Sequence, residues 1–168
     1  VIAIALAVGL GALLGAINGV IVAYGRVPAI IVTLGTLAIY RSWLVSHGEG
    51  RTITADSLPS WIVELPNRTV FSLGDLDIRL TFAVVVVILV VLQVAFQRLR
   101  WGRRLYATGS NPDAAAQAGL PTRRLVFSAF CACGALSGFA GFLFLSRFGN
   151  ITVVAGQGLE LDAVAAAV

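Results

Sequence analysis

The polar side chains that could do chemistry in this chain are few, and most lie inside apolar runs. Asn18 interrupts the first run; Thr33, Thr36 and Tyr40 interrupt the second, with Arg41 adjacent. Positions 33, 36 and 40 share one helical face, because residues three and four apart are neighbours on a helix. An amide, two hydroxyls, a phenol and a guanidinium offer hydrogen bonds to a polar solute; they are not a covalent catalytic set. Two roles stay open for each: lining a solute path, or bonding between helices, with Arg41 reaching out to the membrane interface. His47, the one histidine, stands without a partner at the border of an apolar run. Cys131 and Cys133 are two apart and point to different sides of a helix, with no His or further Cys at ligand spacing. No metal site is expected, and the thiols are expected reduced and packed against lipid or helices. Asn67-Arg68-Thr69 and Asn150-Ile151-Thr152 match a glycosylation pattern short enough to arise by chance.

Nucleotide chemistry is absent from the chain. The phosphate-cradling loop Gly-x-x-x-x-Gly-Lys-Ser/Thr requires a lysine, and all twelve basic residues are arginine. The run "GLGALLG", Gly9 to Gly15, has the spacing G-x-G-x-x-x-G and lies within an apolar stretch, not at a strand-to-helix turn, so it is no dinucleotide fingerprint. No cofactor is expected to be bound by this chain. The glycines fit packing better. Gly11, Gly15 and Gly19 recur at every fourth position, and Gly134/Gly138 and Ser137/Gly141 repeat that spacing. Small faces of this kind let membrane helices approach closely; room for a solute is the alternative.

The elements that hold these residues are set by composition. The chain has 168 residues, 58% hydrophobic and 12% charged, with mean hydropathy +0.93. A soluble domain carries about 25% charged residues, so this chain has too few to cover a water-facing surface. Val1 to Gly25, Leu80–Gln97 and Leu125–Ser146 hold no charge, and each approaches or exceeds the roughly 18–20 residues that span hydrocarbon as a helix. The run from Val27 meets Arg41, and spans if it continues to Leu44 or Val45. These lengths predict an all-α, polytopic membrane protein: a single transmembrane domain over 1–168, with helices near 2–24, 28–46, 80–98 and 125–146 and another starting at 160–168. The first run lacks the charged front and cleavage site of a signal peptide. With Val1 and Val168 both inside apolar runs, an internal fragment of a longer protein is expected.

Charge predicts orientation. Segment 98–124 holds six arginines against Asp113, a net +5, whereas the 47–79 loop holds three arginines against five acids, a net −2. Positive loops stay cytoplasmic, which places 99–124 and the turn Gly25–Pro28 inside and loop 47–79 and residues 147–158 outside. In the outer loop, Pro59 and Pro66 bracket "SWIVEL", with Trp61 and Ile62 as interfacial anchors. Residues 71–80 alternate in part, as a short strand or extended lead-in would. The loop's acids either dock a partner or keep the loop soluble.

The inner segment "GRRLYATGSNPDAAAQAGLPTRR" carries helix punctuation. Ser110 or Asn111 caps, Pro112 suits the first helical position, and Asp113 favours the positive dipole end. Alanines propagate the helix, Gly119 suits a left-handed C′ position and Pro121 prevents resumption. A two-turn helix over 111–119 results, too short to stand alone in water.

This segment resembles the cytoplasmic coupling segment of permeases in bacterial sugar ABC importers of the ribose, rhamnose and autoinducer type. The usual form there is G-R-x-x-Y-A-x-G-x-N-x-x-A-A-x-x-x-G, matched by Gly102, Arg103, Tyr106, Ala107, Gly109, Asn111, Ala114, Ala115 and Gly119. The stretches "GAINGVIVAYGRVPAIIVTLGTLAIYR" and "GQGLELDAVAAAV" are similar to the family as well. The resemblance implies a non-enzymatic permease subunit in a bacterial inner membrane. Implied partners are a cytoplasmic ATPase that hydrolyses ATP, a periplasmic or lipid-anchored sugar-binding protein, a second permease copy or paralogue, and membrane lipids, with no nucleic acid. It also implies that the 111–119 helix, with Pro112 at its start, sits in a cleft of the ATPase, while Gly102 and Gly109 let the chain turn into and out of this lever. Arg103 and Arg104 would face acidic ATPase groups or lipid headgroups, or serve topology alone. In that setting Asn18, Thr33, Thr36, Tyr40 and Arg41 are the candidate sugar path. The loop wording looks like permeases for rhamnose-type deoxysugars or a furanose autoinducer, with ribose and xylose open. An ion-coupled secondary transporter of small polar solutes is the main rival, but that class commonly keeps carboxylates inside its spans. None of the four full spans has one, and only Glu160 and Asp162 precede the partial fifth. An ABC permease for branched-chain amino acids is the other alternative.

Overall fold

The computed structural model of the protein describes residues 2–48, 59, 61–62, 69–73, 76–149 and 156–167. In chain order these form helices α1 (Ile2–Gly25) and α2 (Ala29–Gly48), strands β1 (Thr69–Leu73) and β2 (Leu76–Arg79), then helices α3 (Leu80–Arg98), α4 (Arg100–Ser110), α5 (Pro112–Gln117), α6 (Thr122–Phe148) and α7 (Leu159–Ala167). Helices α1, α2, α3 and α6 are long and apolar enough to cross a membrane. The protein is a multi-pass membrane protein of the all-α class, and among the described residues the only strands are those of a small hairpin between α2 and α3. Pro66, Asn67 and Arg68 of the first Asn-x-Thr pattern, the whole of the second, and most of the acids of segment 47–79 lie outside the described residues.

Helix α3 shows what the solvent decides. Its run of valines would favour a strand in water. In hydrocarbon a lone segment can satisfy its own backbone only as a helix, and α3 is helical from Leu80 to Arg98. It buries no residue within this chain, so its apolar surface is left for lipid or other helices. Ahead of it, β1 and β2 pair antiparallel, Thr69 with Arg79 and Leu73 with Leu76, with an irregularity between Thr69 and Phe71. The partial alternation of 71–80 therefore ends in a hairpin.

The packed heart of the chain is the antiparallel pair α1 and α6. A Cβ at Gly11 would strike the carbonyl of Gly134 and come within 2.9 Å of Gly138. One at Gly15 would strike the carbonyl of Phe130, and one at Gly19 would lie 3.0 Å from the Phe130 Cβ. Reciprocally, Gly134 faces Gly11 and Gly138 faces Ala7. No side chain fits between the two backbones along this seam, and dispersion between them replaces the hydrophobic drive that lipid cannot supply. Gly141 departs from the expectation: a Cβ there would meet nothing within 4 Å. The row of fours through 130, 134 and 138 continues at buried Phe142, and Gly141 is turned about 100° from it.

Two ends of the bundle can be told apart. At one, the Tyr24 ring meets Phe127, centroids 6.5 Å apart, next to the arginine-rich segment. At the other, the Ser146 hydroxyl donates to the carbonyl of Ile62 at 2.7 Å, both residues buried. The outer loop is thus tied to the end of α6 that charge assigns to the outside. Helix α6 is longer than its uncharged core and carries Arg123 and Arg124 in its first turn. At 27 residues it measures about 40 Å against a core of about 30 Å. At the turn between α1 and α2, Arg26 is the sole described non-glycine residue with positive φ, 56°.

Candidate functional site

Segment 99–124 folds as two helices, not one. Leu99 is extended (φ −78°, ψ 143°) and breaks α3 from α4. Helix α4 was not anticipated, because its two glycines suggested hinges. Its signal was present: Arg100, Arg103, Arg104 and Ala107 follow the i, i+3, i+4, i+7 rule of one helix face, and Trp101, Leu105 and Thr108 line the other. Gly102 is helical and buried, and a Cβ there would run into the backbone of Phe96. It allows α4 to fold back on the last turn of α3. Gly109 is also helical, with open space where its Cβ would be. The expected turns at Gly102 and Gly109 are therefore corrected: the chain bends at Leu99 and Asn111, where the backbone leaves helical φ/ψ. Trp101 Nε1 donates to Ser128 Oγ at 2.9 Å, joining α4 to α6. Arg103 and Tyr106 are exposed; the Tyr106 ring lies 6.1 Å from that of Phe96.

The short helix α5 is closed at both ends. Asn111 Oδ1 accepts from the Ala114 amide at 3.0 Å and Pro112 fills the first turn beside Asp113. At the other end Gly119 has φ 78°. Its amide donates to Ala116 O and the Leu120 amide to Ala115 O, both at 3.0 Å, the paired bonds of a Schellman cap. Ala115 is buried at 6% exposure, whereas Ala114, Ala116, Gln117 and Ala118 are exposed. Ala115 therefore packs on its own chain, and the neighbouring alanines form the outer surface. Only Leu120 and Pro121 separate α5's cap from α6, and the Leu125 amide bonds back to Pro121 O at 3.1 Å. Where α1, α2, α4, α5 and α6 converge there is an apolar cavity of about 370 Å³, lined by Val22, Ala29, Leu105, Thr108, Pro112 and Val126 among others.

The polar stripe of α2 faces inward. Thr33, Thr36, Tyr40 and Arg41 are half-buried and Val32 buried, while every other described side chain of α2 is exposed. Thr33 Oγ1 donates to Ala29 O and Thr36 Oγ1 to Val32 O, each at 3.0 Å, so both spend their proton on their own helix. Asn18 Oδ1 and Tyr40 Oη are buried atoms without a hydrogen-bond partner among the described residues.

Four helices long and apolar enough to cross a membrane, with an arginine-flanked, doubly capped short helix between the last two of them, define a multi-pass membrane protein. The chain belongs to the family of branched-chain amino acid transport system permease components, whose sequence pattern matches residues 1–168. It is 37% identical over 164 residues to the autoinducer 2 import system permease protein LsrC of Yersinia enterocolitica serotype O:8, covering 98% of this chain and 43% of that protein. The LsrC proteins of Escherichia coli O9:H4 and Enterobacter sp. strain 638 are 35% and 36% identical over 159 and 162 residues, covering 95% and 96% of this chain and 44% and 45% of theirs. The chain thus spans less than half the length of these curated relatives. No solved structure matches it.

Proposed function

We propose that this chain is part of the permease subunit of an ATP-driven ABC importer for a small sugar, and that α5 is the peg through which a separate ATPase moves it. The observation that carries the proposal is α5 itself: six residues, capped by Asn111 and Gly119, one alanine buried and the others outward. A helix this short persists only if its ends are satisfied and a surface holds it. A push on it passes through two residues to α6, and through the glycine seam to α1, so the pair would move as one body. Interfaces packed this closely favour discrete arrangements over gradual deformation. The chain itself brings no phosphate loop, so the ATPase and a solute-binding protein are the expected partners.

For the path, the unpartnered Asn18 Oδ1 and Tyr40 Oη offer bonds to a solute's hydroxyls, with Thr33 and Thr36 as acceptors and Arg41 close by. The relatives' names favour a furanose of the autoinducer 2 kind over rhamnose, ribose or xylose; the family's name keeps branched-chain amino acids as the second reading. Uptake by the full-length permease, reconstituted with its ATPase and binding protein, separates them: accumulation of labelled furanose is expected, and accumulation of leucine instead refutes the sugar assignment. For the peg, Ala114→Arg is expected to lower substrate-stimulated ATP hydrolysis at least about thirtyfold, as loss of an interface hot spot does, with normal membrane insertion. Undiminished stimulation would remove α5 from the coupling path. Ala115→Arg is unsuited to this test, because it would disturb the chain's own packing.

A further inference from the structure

The arginines of α4 have no part in the proposal above. Arg100, Arg103 and Arg104 are exposed on one face and, with Ala107 and Leu120, enclose an open concavity of about 390 Å³. Among the described residues none of the three makes an ion pair, and their one side-chain hydrogen bond runs from Arg103 Nη1 to the Arg98 carbonyl at 3.3 Å.

The other side of α4 is held against the end of a membrane helix. The rings of Trp101 and Tyr106 lie 5.7 and 6.1 Å from that of Phe96 in the last turns of α3, and Gly102 brings the backbones together. Helix α4 therefore cannot stand off into the cytoplasm. With the end of α3 taken as the hydrocarbon edge, a helix about 10–12 Å across puts the arginine face within one helix diameter of it. Tyr106 is 64% exposed beside Phe96, and tyrosine is enriched where membrane helices meet the interface. Next to the basic concavity, Phe96, Leu105, Tyr106 and Gly109 line an apolar groove of about 430 Å³. Arg103 and Tyr106, three residues apart, are neighbours on the helix, so the two hollows adjoin.

We infer that this face of α4 is a headgroup site for an anionic phospholipid of the cytoplasmic leaflet. The phosphate sits among Arg100, Arg103 and Arg104, and an acyl chain follows Phe96 and Tyr106. Guanidinium forks match phosphate oxygens in pairs, and basic clusters immediately inside a membrane helix attract anionic lipid. An acidic protein surface would also suit three arginines. The pinning of α4 to α3 and the adjoining apolar groove select the lipid, and the inference does not depend on the importer assignment.

The test uses the full-length permease in nanodiscs of phosphatidylcholine, with Trp101 as the reporter and Trp43, Trp61 and every tryptophan outside residues 1–168 replaced by Phe. Phosphatidylglycerol with brominated chains is expected to quench Trp101 at about a tenfold lower mole fraction than brominated phosphatidylcholine. Arg100→Gln/Arg103→Gln/Arg104→Gln is expected to erase that preference, the triple lysine variant to keep part of it, and Arg147→Gln at the outer end to leave it intact. Native mass spectrometry of the protein with its tryptophans unchanged gives a second measure: more phosphatidylglycerol retained by the parent than by the triple glutamine variant. Equal quenching by the two lipids overturns the inference. So does a triple glutamine variant that keeps its lipid preference but no longer binds an ATPase, which would assign the arginines to a protein partner.

Discussion

Asn111 and Gly119 decide whether the peg exists. Removal of a capping side chain costs about 1 kcal/mol, so Asn111→Ala should speed hydrogen exchange at the Ala114 amide about fivefold while α6 exchanges as before; unchanged exchange would show that the cap bond at 3.0 Å contributes nothing. Both caps were legible in sequence, since cap chemistry is local. The seam glycines differ, because their role depends on what faces them. Gly134→Ala drives a methyl into the carbonyl of Gly11 and should cost roughly 1–3 kcal/mol through overpacking. Gly141→Ala meets open space and should stay within about 0.5 kcal/mol. Thermal midpoints of the two variants in detergent, measured side by side, check the contrast; equal midpoints would deny the seam. From spacing alone Gly141 was indistinguishable from Gly138, as the difference lies in the opposing helix.

At the scale of elements, the four crossing helices were readable because hydrocarbon admits few backbone solutions. Helix α4 was hidden: two glycines outweighed its amphipathic rhythm, whereas in the fold Gly102 serves close approach to Phe96 and leaves the helix unbroken. The coupling of loop to helix was also invisible. Ser146 and Ile62 are 84 residues apart in sequence, yet joined by a buried bond of 2.7 Å. Ser146→Ala would leave the Ile62 carbonyl buried and unpaired, at about 1–3 kcal/mol. The expected consequence is a loosened outer loop, read as faster proteolysis near residue 62 with the α1–α6 pair intact. A loop cut at the parent's rate would mean that the bond does not anchor it.

For the whole molecule, the roles of α5 and of the α4 arginines rest on which side of the membrane each end faces. In a full-length permease stripped of its native cysteines, Cys131 and Cys133 included, a cysteine placed at Ala116 should react with an impermeant maleimide only after the cells are opened. One at Trp61, on the end tied to Ser146, should react from outside; the reverse pattern would invert the topology and with it the peg and the lipid site. The sequence by itself determined the crossing helices and the caps of the short helix α5, and its arginines predict an orientation that the labelling tests. Each depends on solvent, charge and local hydrogen bonding, which act over a few neighbouring residues. Only the tertiary structure decided which glycines form the seam, that Ala115 turns inward, that α4 folds back on α3, and that the α2 stripe is the covered face. These depend on which surface lies opposite, and no single stretch of chain carries that information about its partner.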